Sequence, residues 1–310
     1  MKKVLVTGAT GFIGRHTLNP LADLQFEVHA VTSKNLSDSQ YLSDRLTWHS
    51  VNLLDPPQVR SLLANVRPTH LLHFAWYNIP GKCLKAEENF LWVQGSLELL
   101  RQFYQQGGER VVIAGSCFEY DWNYGFCTES ITPKKQSFPY AVCKSAVYEM
   151  LSSFADKFNI SSAWGYIFNV YGPFDHPKRL VSSVIRSLLR QETALCSLGN
   201  QIRDYFFVQD MADAFVALLE SNVTGGVNIA SGQPIAVKDI IFKIADKFGK
   251  RELIQLGAIP QNVGEPPLLV ANINRLRNEV GFVPQYNWDI GLDRTIEWWK
   301  SQLGNKYIRI

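Results

Sequence analysis

No Cys-x-x-Cys pair occurs in this chain, and its five cysteines (Cys83, Cys117, Cys127, Cys143, Cys196) are odd in number and scattered. That excludes a disulfide framework and the usual zinc spacings, and fits reduced thiols in a cytoplasm. The six histidines show no metal-ligand spacing either, so no metal is expected. Lysine and arginine form no run, and the formal charge is only +3 over 310 residues, which argues against a nucleic-acid face. No apolar window approaches the roughly 18 residues of a membrane span, so no membrane partner is expected. The apolar run in MKKVLVTGATG also stops too early for a signal peptide. Repeats and low-complexity linkers are missing as well.

What is present is the balance of a globular protein, 46% hydrophobic and 19% charged. Short β-branched runs at 2–8, 27–33, 46–53, 69–76 and 110–116 read as strands. Helical patterns begin near Phe12, Pro57, Ala86 and Tyr140, the last running to about Phe158. Pro139 supports that start, because the first N–H groups of a helix lack partners anyway. A further strand is expected in SSAWGYIFNVYG, and helices over 179–192, 209–221 and 237–249. Gly257 to Pro267, rich in proline and glycine, reads as an ordered loop. Alternation of strand and helix predicts an α/β fold: a doubly wound parallel Rossmann sheet with a smaller α/β substrate-binding domain. Residues 1–170 are expected to bind a dinucleotide, with part of 204–232 returning to them, and 171–310 to be mainly substrate-binding.

TGATGFIG stands where the first strand hands over to the first helix. Gly8, Gly11 and Gly14 leave room for a tight turn, a close ligand approach and close helix packing, and Thr10, Phe12 and Ile13 complete the turn. A glycine triplet alone is an ordinary strand–helix turn. Inside a β-α-β unit it predicts a dinucleotide pyrophosphate at the helix N-terminus. The second strand ends in Ser33-Lys34, where a carboxylate would hold the ribose 2′-hydroxyl of NAD. A hydroxyl and an ammonium suit a 2′-phosphate instead, so the reading favours NADP over NAD.

In SFPYAVCK, Tyr140 and Lys144 lie one helical turn apart. An adjacent ammonium favours phenolate and is expected to bring the phenol closer to working range as an acid or base. Standing alone, Tyr-x-x-x-Lys is a common helix-surface pair.

Together with HFAW (73–76), Asn89, IAGSCFEYDW, IFNVYGP (167–173), RDYFFVQDMADA (203–214) and VNIASG (227–232), these residues resemble the extended short-chain dehydrogenase/reductase family, in its NAD(P)-dependent nucleotide-sugar epimerase/dehydratase branch. The resemblance implies that Ser116 hydrogen-bonds the reacting oxygen and Tyr140 is the general acid/base. Lys144 would bridge the nicotinamide ribose hydroxyls. It places Asn52 and Leu53 beside the adenine, and Phe74 and Ala75 along the cofactor. Asn169, Arg203 and Arg179 resemble positions that meet a nucleotide-sugar diphosphate, for which a guanidinium fork is suited. Trp76 is a candidate for the sugar side, and core packing accounts for it equally well. The family's homodimers imply a helix bundle formed by the helices near Ala86 and Tyr140, for which Leu91, Leu97, Val147 and Met150 would supply apolar surface; packing into its own core accounts for each of them equally well.

The departures narrow the reaction. Dehydratases of the branch follow the catalytic Ser/Thr with Asp-Glu; here Cys117 and Phe118 stand there, as candidates for the substrate-binding surface, and phenylalanine moves no proton. Tyr166 replaces a frequent arginine, and GEPPLL (264–269) lacks another. Two reactions survive, NADPH-dependent reduction of a 4-keto-6-deoxy nucleotide-sugar and NAD-dependent 4-epimerisation, and the resemblance favours the reductase. A non-catalytic dinucleotide sensor is the reading from another class.

Overall fold

A computed structural model describes residues 2–36, 45–135, 138–260 and 264–307. The expected loop at Gly257–Pro267 therefore lies partly outside the described residues.

The first half alternates strand and helix: β1 (Lys3–Thr7), α1 (Gly14–Asp23), β2 (Glu27–Thr32), β3 (Leu46–Ser50), α2 (Pro56–Val66), β4 (His70–His73), α3 (Glu88–Gln105) and β5 (Arg110–Ser116). Then come β6 (Phe126–Cys127), α4 (Pro139–Phe158), β7 (Ser161–Ile167) and β8 (Asn169–Tyr171). The second half holds α5 (Leu180–Leu189), β9 (Ala194–Leu195), β10 (Ile202–Phe207), α6 (Val208–Glu220), β11 (Gly225–Ile229), β12 (Pro234–Ala236) and α7 (Val237–Phe248). It closes with β13 (Ile254–Gln255), β14 (Leu268–Ala271), α8 (Asn274–Asn278) and α9 (Trp288–Tyr307).

Seven strands form one parallel sheet in the order β11-β7-β5-β4-β1-β2-β3. Successive residues point to opposite faces, which is why both faces need cover. Val4, Val6, Leu72 and Val112 join Leu18 and Leu21 of α1 and Phe215 and Leu218 of α6. Leu5, Leu71, Val111 and Ile113 pack instead with Leu63 of α2, Leu99 and Phe103 of α3, and Val147 and Leu151 of α4. Each such side chain contributes about 1.5–3 kcal/mol of burial. Arg110, buried at the start of β5, donates to the Leu218, Leu219 and Val223 carbonyls at 2.6–2.9 Å and to Ser161. It thereby satisfies the open C-terminal end of α6, and burial pushes its guanidinium down to about 10.

The chain runs from β1 outward to β2 and β3 on one side and to β4, β5, β7 and β11 on the other. The strand C-termini at β1 and β4 therefore flank a topological switch point, the crevice where such sheets bind ligands. A five-stranded mixed sheet stands beside it, β12-β10-β14-β6 with β8 paired to β10. Behind it α5, α7 and α9 enclose a third core around Ile185, Leu188, Ile240, Ile244 and Leu292. The expected single strand at 161–172 is two, since Phe168 interrupts it and β8 leaves the large sheet for β10.

Candidate active site

The turn after β1 is built for close approach. Gly8 has φ +66°, and a Cβ there would meet the Ala75 amide nitrogen at 2.8 Å. The Gly11 amide donates to the Gly8 carbonyl at 2.8 Å, and a Cβ on Gly14 would collide with the same carbonyl. No side chain caps the first turn of α1, so the glycine turn carries the positive end of the helix dipole. Below the turn, Thr7 Oγ1 lies 2.6 Å from His73 Nδ1 and accepts from the Ala75 amide at 3.3 Å. His73 Nε2 lies 3.0 Å from Ser96 Oγ. Burial, helped by the charge of Lys144, drives His73 down to about 3, so it is a neutral structural link.

Around that turn, Thr10 Oγ1 pairs with Thr32 Oγ1 at 3.3 Å, and the Lys34 amide donates to Thr32 Oγ1 at 3.1 Å. Ser33 and Lys34 are exposed at the end of β2, and Asn52 is exposed beyond β3. Asn52 Oδ1 accepts from the Leu54 amide at 3.1 Å, while Leu53 is core. Phe12 and Ile13 pack on the core beneath α1. The Phe74 ring packs edge-on against Phe215 at 4.9 Å, so the main chain of 74–75 is what meets the glycine turn.

The end of β5 and the start of α4 meet at the next corner. Pro139 opens α4 after an extended Phe138, and that fixes where Tyr140 points. The Tyr140 and Ser116 side chains share a hydrogen bond. One turn on, buried Lys144 donates to the Ala114 carbonyl at 2.8 Å, and its ammonium stands 3.9 Å from the Trp76 ring centre. The Trp76 indole N–H donates to Asn89 Oδ1 at 2.8 Å. Trp76 and Phe118 each present an edge contact to the Tyr140 ring.

Two expectations are corrected here. The phenol of Tyr140 is pushed up rather than brought down: burial is the largest cause, the Ser116 hydrogen bond opposes it, and Glu119 adds to it. Lys144 directs its ammonium to the Ala114 carbonyl and the Trp76 face. Cys117 is not part of a substrate surface. It is 5% exposed, lies in the core with Cys127 and Phe103, and burial raises its thiol.

A residue absent from the sequence reading is Glu119, which is 0% exposed. Its Oε1 accepts from the Ser116 amide at 2.9 Å and from the Trp164 indole N–H at 3.1 Å, and its Oε2 from Ser145 Oγ at 3.2 Å. Ser116 Oγ in turn accepts from the Phe118 amide at 3.3 Å. This is a capping box on a 3-10 turn, and Ser-x-x-Glu was the sequence signal that could have found it.

The opposite rim comes from the second half. Asn169 donates to the Asp204 carbonyl at 3.2 Å. Arg179 pairs with Asp175 at 3.5 Å, and Arg203, almost fully buried, pairs with Glu265 at 2.8 Å. Tyr205 feels both arginines; burial lifts its phenol to about 12 against their pull. Asp175 is raised to about 7 by burial, against Arg179 and the His176 amide. Burial raises the Cys83 thiol, against the charge of Arg179. Among the described residues no group of His, Cys, Asp and Glu side chains could hold a metal ion, and no helix is long and apolar enough to cross a membrane.

Comparison with known proteins agrees with this geometry. The chain is 25% identical to the CDP-abequose synthase of Salmonella typhimurium, over 95% of this chain and 97% of that relative. It is 24% identical to the dTDP-D-glucose 4,6-dehydratase of Mus musculus, over 98% of this chain and 90% of that relative. The solved structure of MoeE5 in complex with UDP-glucose and NAD superposes with a TM-score of 0.82 at 27% identity, covering 97% of this chain and 99% of that one. The model of the NAD dependent epimerase/dehydratase family matches residues 4–230. With a Rossmann sheet, a glycine cradle at its switch point and a Ser–Tyr–Lys corner beside it, the chain belongs to the NAD dependent epimerase/dehydratase family.

Proposed function

We propose that this protein reduces the 4-keto group of a nucleotide-linked 4-keto-6-deoxy sugar with NADPH, Tyr140 giving the proton. The observation that carries this reading is the Ser116–Tyr140 hydrogen bond standing beside two positions that transfer no proton: Cys117 is sealed in the core and Phe118 is hydrocarbon. Elimination of water has no acid–base pair there. A phenol raised by burial is protonated at neutral pH, as a proton donor has to be.

The cradle suits a dinucleotide, because only glycine lets the turn close this tightly on the Ala75 nitrogen and the Gly8 carbonyl at the start of α1. When bound, the reduced nicotinamide supplies a hydride to C4 of the sugar. Backbone amides of 8–14 and the α1 N-terminus hold the diphosphate, and Ser33 and Lys34 meet a 2′-phosphate, which favours NADP over NAD. Asn52 and Leu53 lie on the adenine side. Lys144 holds the nicotinamide ribose. The Ser116 hydroxyl holds the ketone oxygen, and the Tyr140 proton moves to that oxygen as the carbonyl becomes an alcohol. Trp76 and Phe118 flank the sugar; Asn169, Arg179 and Arg203 face its diphosphate.

In this reading residues 1–170, with the α6–β11 segment, serve the cofactor, and 171–310 mainly the sugar nucleotide. The reading includes a homodimer across α3 and α4, which expose Phe90, Leu91, Val142 and Met150. Of the two places open to Val147, it takes its own core.

The test is to mix the protein with NADPH and a panel of 4-keto nucleotide-sugars and follow the reduced-nicotinamide absorbance. Oxidation that disappears in Tyr140→Phe supports the reductase. Interconversion of a sugar without added cofactor, by protein that purifies with NAD, replaces it with the 4-epimerase. Tight cofactor binding without turnover on any substrate replaces it with a dinucleotide sensor.

A further inference from the structure

Glu119 is a fully buried carboxylate that the reaction above does not use. Burying an ionised group is costly unless donors surround it. Here the donors come from separate elements: the Ser116 amide at the end of β5, Ser145 on α4 next to Lys144, and the Trp164 indole on β7. Two of these, an amide and an indole N–H, can only donate, so Oε1 must keep its lone pairs. We propose that Glu119 is the positioning residue of this active site: it locks the Ser116 end of β5 to the α4 turn carrying Tyr140 and Lys144, and it sets a fixed negative charge beside the Lys144 ammonium.

The groups facing this carboxylate agree with that role. Lys144 from α4 and Lys134 from the preceding loop both feel its charge, as do Tyr140, Tyr120, Tyr166 and Cys117. Lys144 also faces His73 of β4, which stays neutral and supplies no competing charge. Burial pushes the Lys144 ammonium down, and Glu119 holds it up. Burial pushes Glu119 itself up, opposed by the Ser116 amide, Lys134, the Trp164 indole and Lys144. Lys134 is caged by the Tyr120 and Tyr166 rings at 3.5 and 3.7 Å and carries the second compensating charge.

The inference rests on Lys144 holding the cofactor, not on which sugar reaction follows, so its test needs no sugar. Dinucleotide affinity is measured against pH by tryptophan quenching in the wild type, Lys144→Met, Glu119→Gln and Glu119→Asp. A wild-type fall in affinity at alkaline pH that vanishes in Lys144→Met identifies the Lys144 ammonium; without it, the site assignment itself is overturned. Given that break, Glu119→Gln keeps the shape and loses the charge, and the break moves to lower pH by about one unit. Glu119→Asp keeps the charge, and the break stays within about 0.3 unit of wild type. A break unmoved in Glu119→Gln, or displaced in Glu119→Asp as far as the glutamine change displaces it, overturns the proposal. If the glutamine variant does not fold, the aspartate variant decides it: a break at the wild-type pH supports the charge role and a displaced one overturns it.

Discussion

The Lys144 ammonium stands 3.9 Å over the Trp76 ring, and the same indole is fixed by Asn89 at 2.8 Å. The ring therefore shields the cation from water while offering a π face in its place. Such a contact is worth about 0.5–2 kcal/mol. Burial, which lowers the Lys144 pKa, is the larger influence. Trp76→Ala should accordingly raise that pKa, and the alkaline loss of dinucleotide affinity should move to higher pH, measured by titration between pH 7 and 10. A move to lower pH would mean that the π face outweighs the shielding.

Tyr140→Phe deletes the hydroxyl that shares a hydrogen bond with Ser116 and leaves the ring between Trp76 and Phe118. Turnover should fall by about 10²–10⁴-fold, while dinucleotide affinity changes less than threefold. Stopped-flow traces of bound cofactor separate the two effects. Ser116→Ala should lose less, since Ser116 holds the oxygen and moves no proton.

Gly8→Ala tests the cradle. Its φ of +66° costs an L side chain about 1–2 kcal/mol, and the new methyl meets the Ala75 nitrogen at 2.8 Å. Melting temperature should drop by several degrees and dinucleotide affinity by more than tenfold. Gly249, with φ +63° and no atom of the described residues within 4 Å of an added Cβ, is the control for the backbone penalty alone.

Asp175 gives the substrate side a pH dependence. Its pKa rises from 3.8 to about 7 on folding, chiefly through burial. The native state thus holds the proton more tightly than the unfolded chain, and stability falls as pH rises from about 4 to 7. Above about 7 the ionised carboxylate neutralises Arg179, 3.5 Å away. Affinity for a nucleotide diphosphate should then weaken up to about fivefold between pH 6 and 8, the scale of a partly exposed ion pair. Asp175→Asn should remove that dependence and stabilise the protein at pH 8, by calorimetry of both.

The sequence was most readable where one period ran long enough to repeat. β5 ends where RVVIAGS ends, and α4 starts at Pro139, one residue from the expected Tyr140. The small sheet was hidden because β6 has two residues and β8 and β12 have three each, too few to show alternation. β6 pairs with β14 through partners such as Phe126 and Val270, far apart in the chain. Glu119 was missed and Cys117 misplaced for one reason: a residue's letter does not say which way the backbone turns it. Glu119 looks like a surface acid until Trp164 and Ser145 close over it. Arg203 was legible as a diphosphate candidate but not as a buried one, and its Glu265 partner sits in the very segment noted for lacking an arginine.

The strand Phe126–Cys127, which leaves the catalytic corner to join the smaller sheet, makes that sheet a neighbour in more than space. The polypeptide passes between the lobes there, again at Phe168, again into α6, and once more after β11. A clamshell needs one slender hinge, and a body sewn together along several seams swings poorly. Entry and exit of whatever ligand the crevice takes then fall to rotamers and short loops at the mouth, so mutations that tune throughput should be sought at that rim and not between lobes.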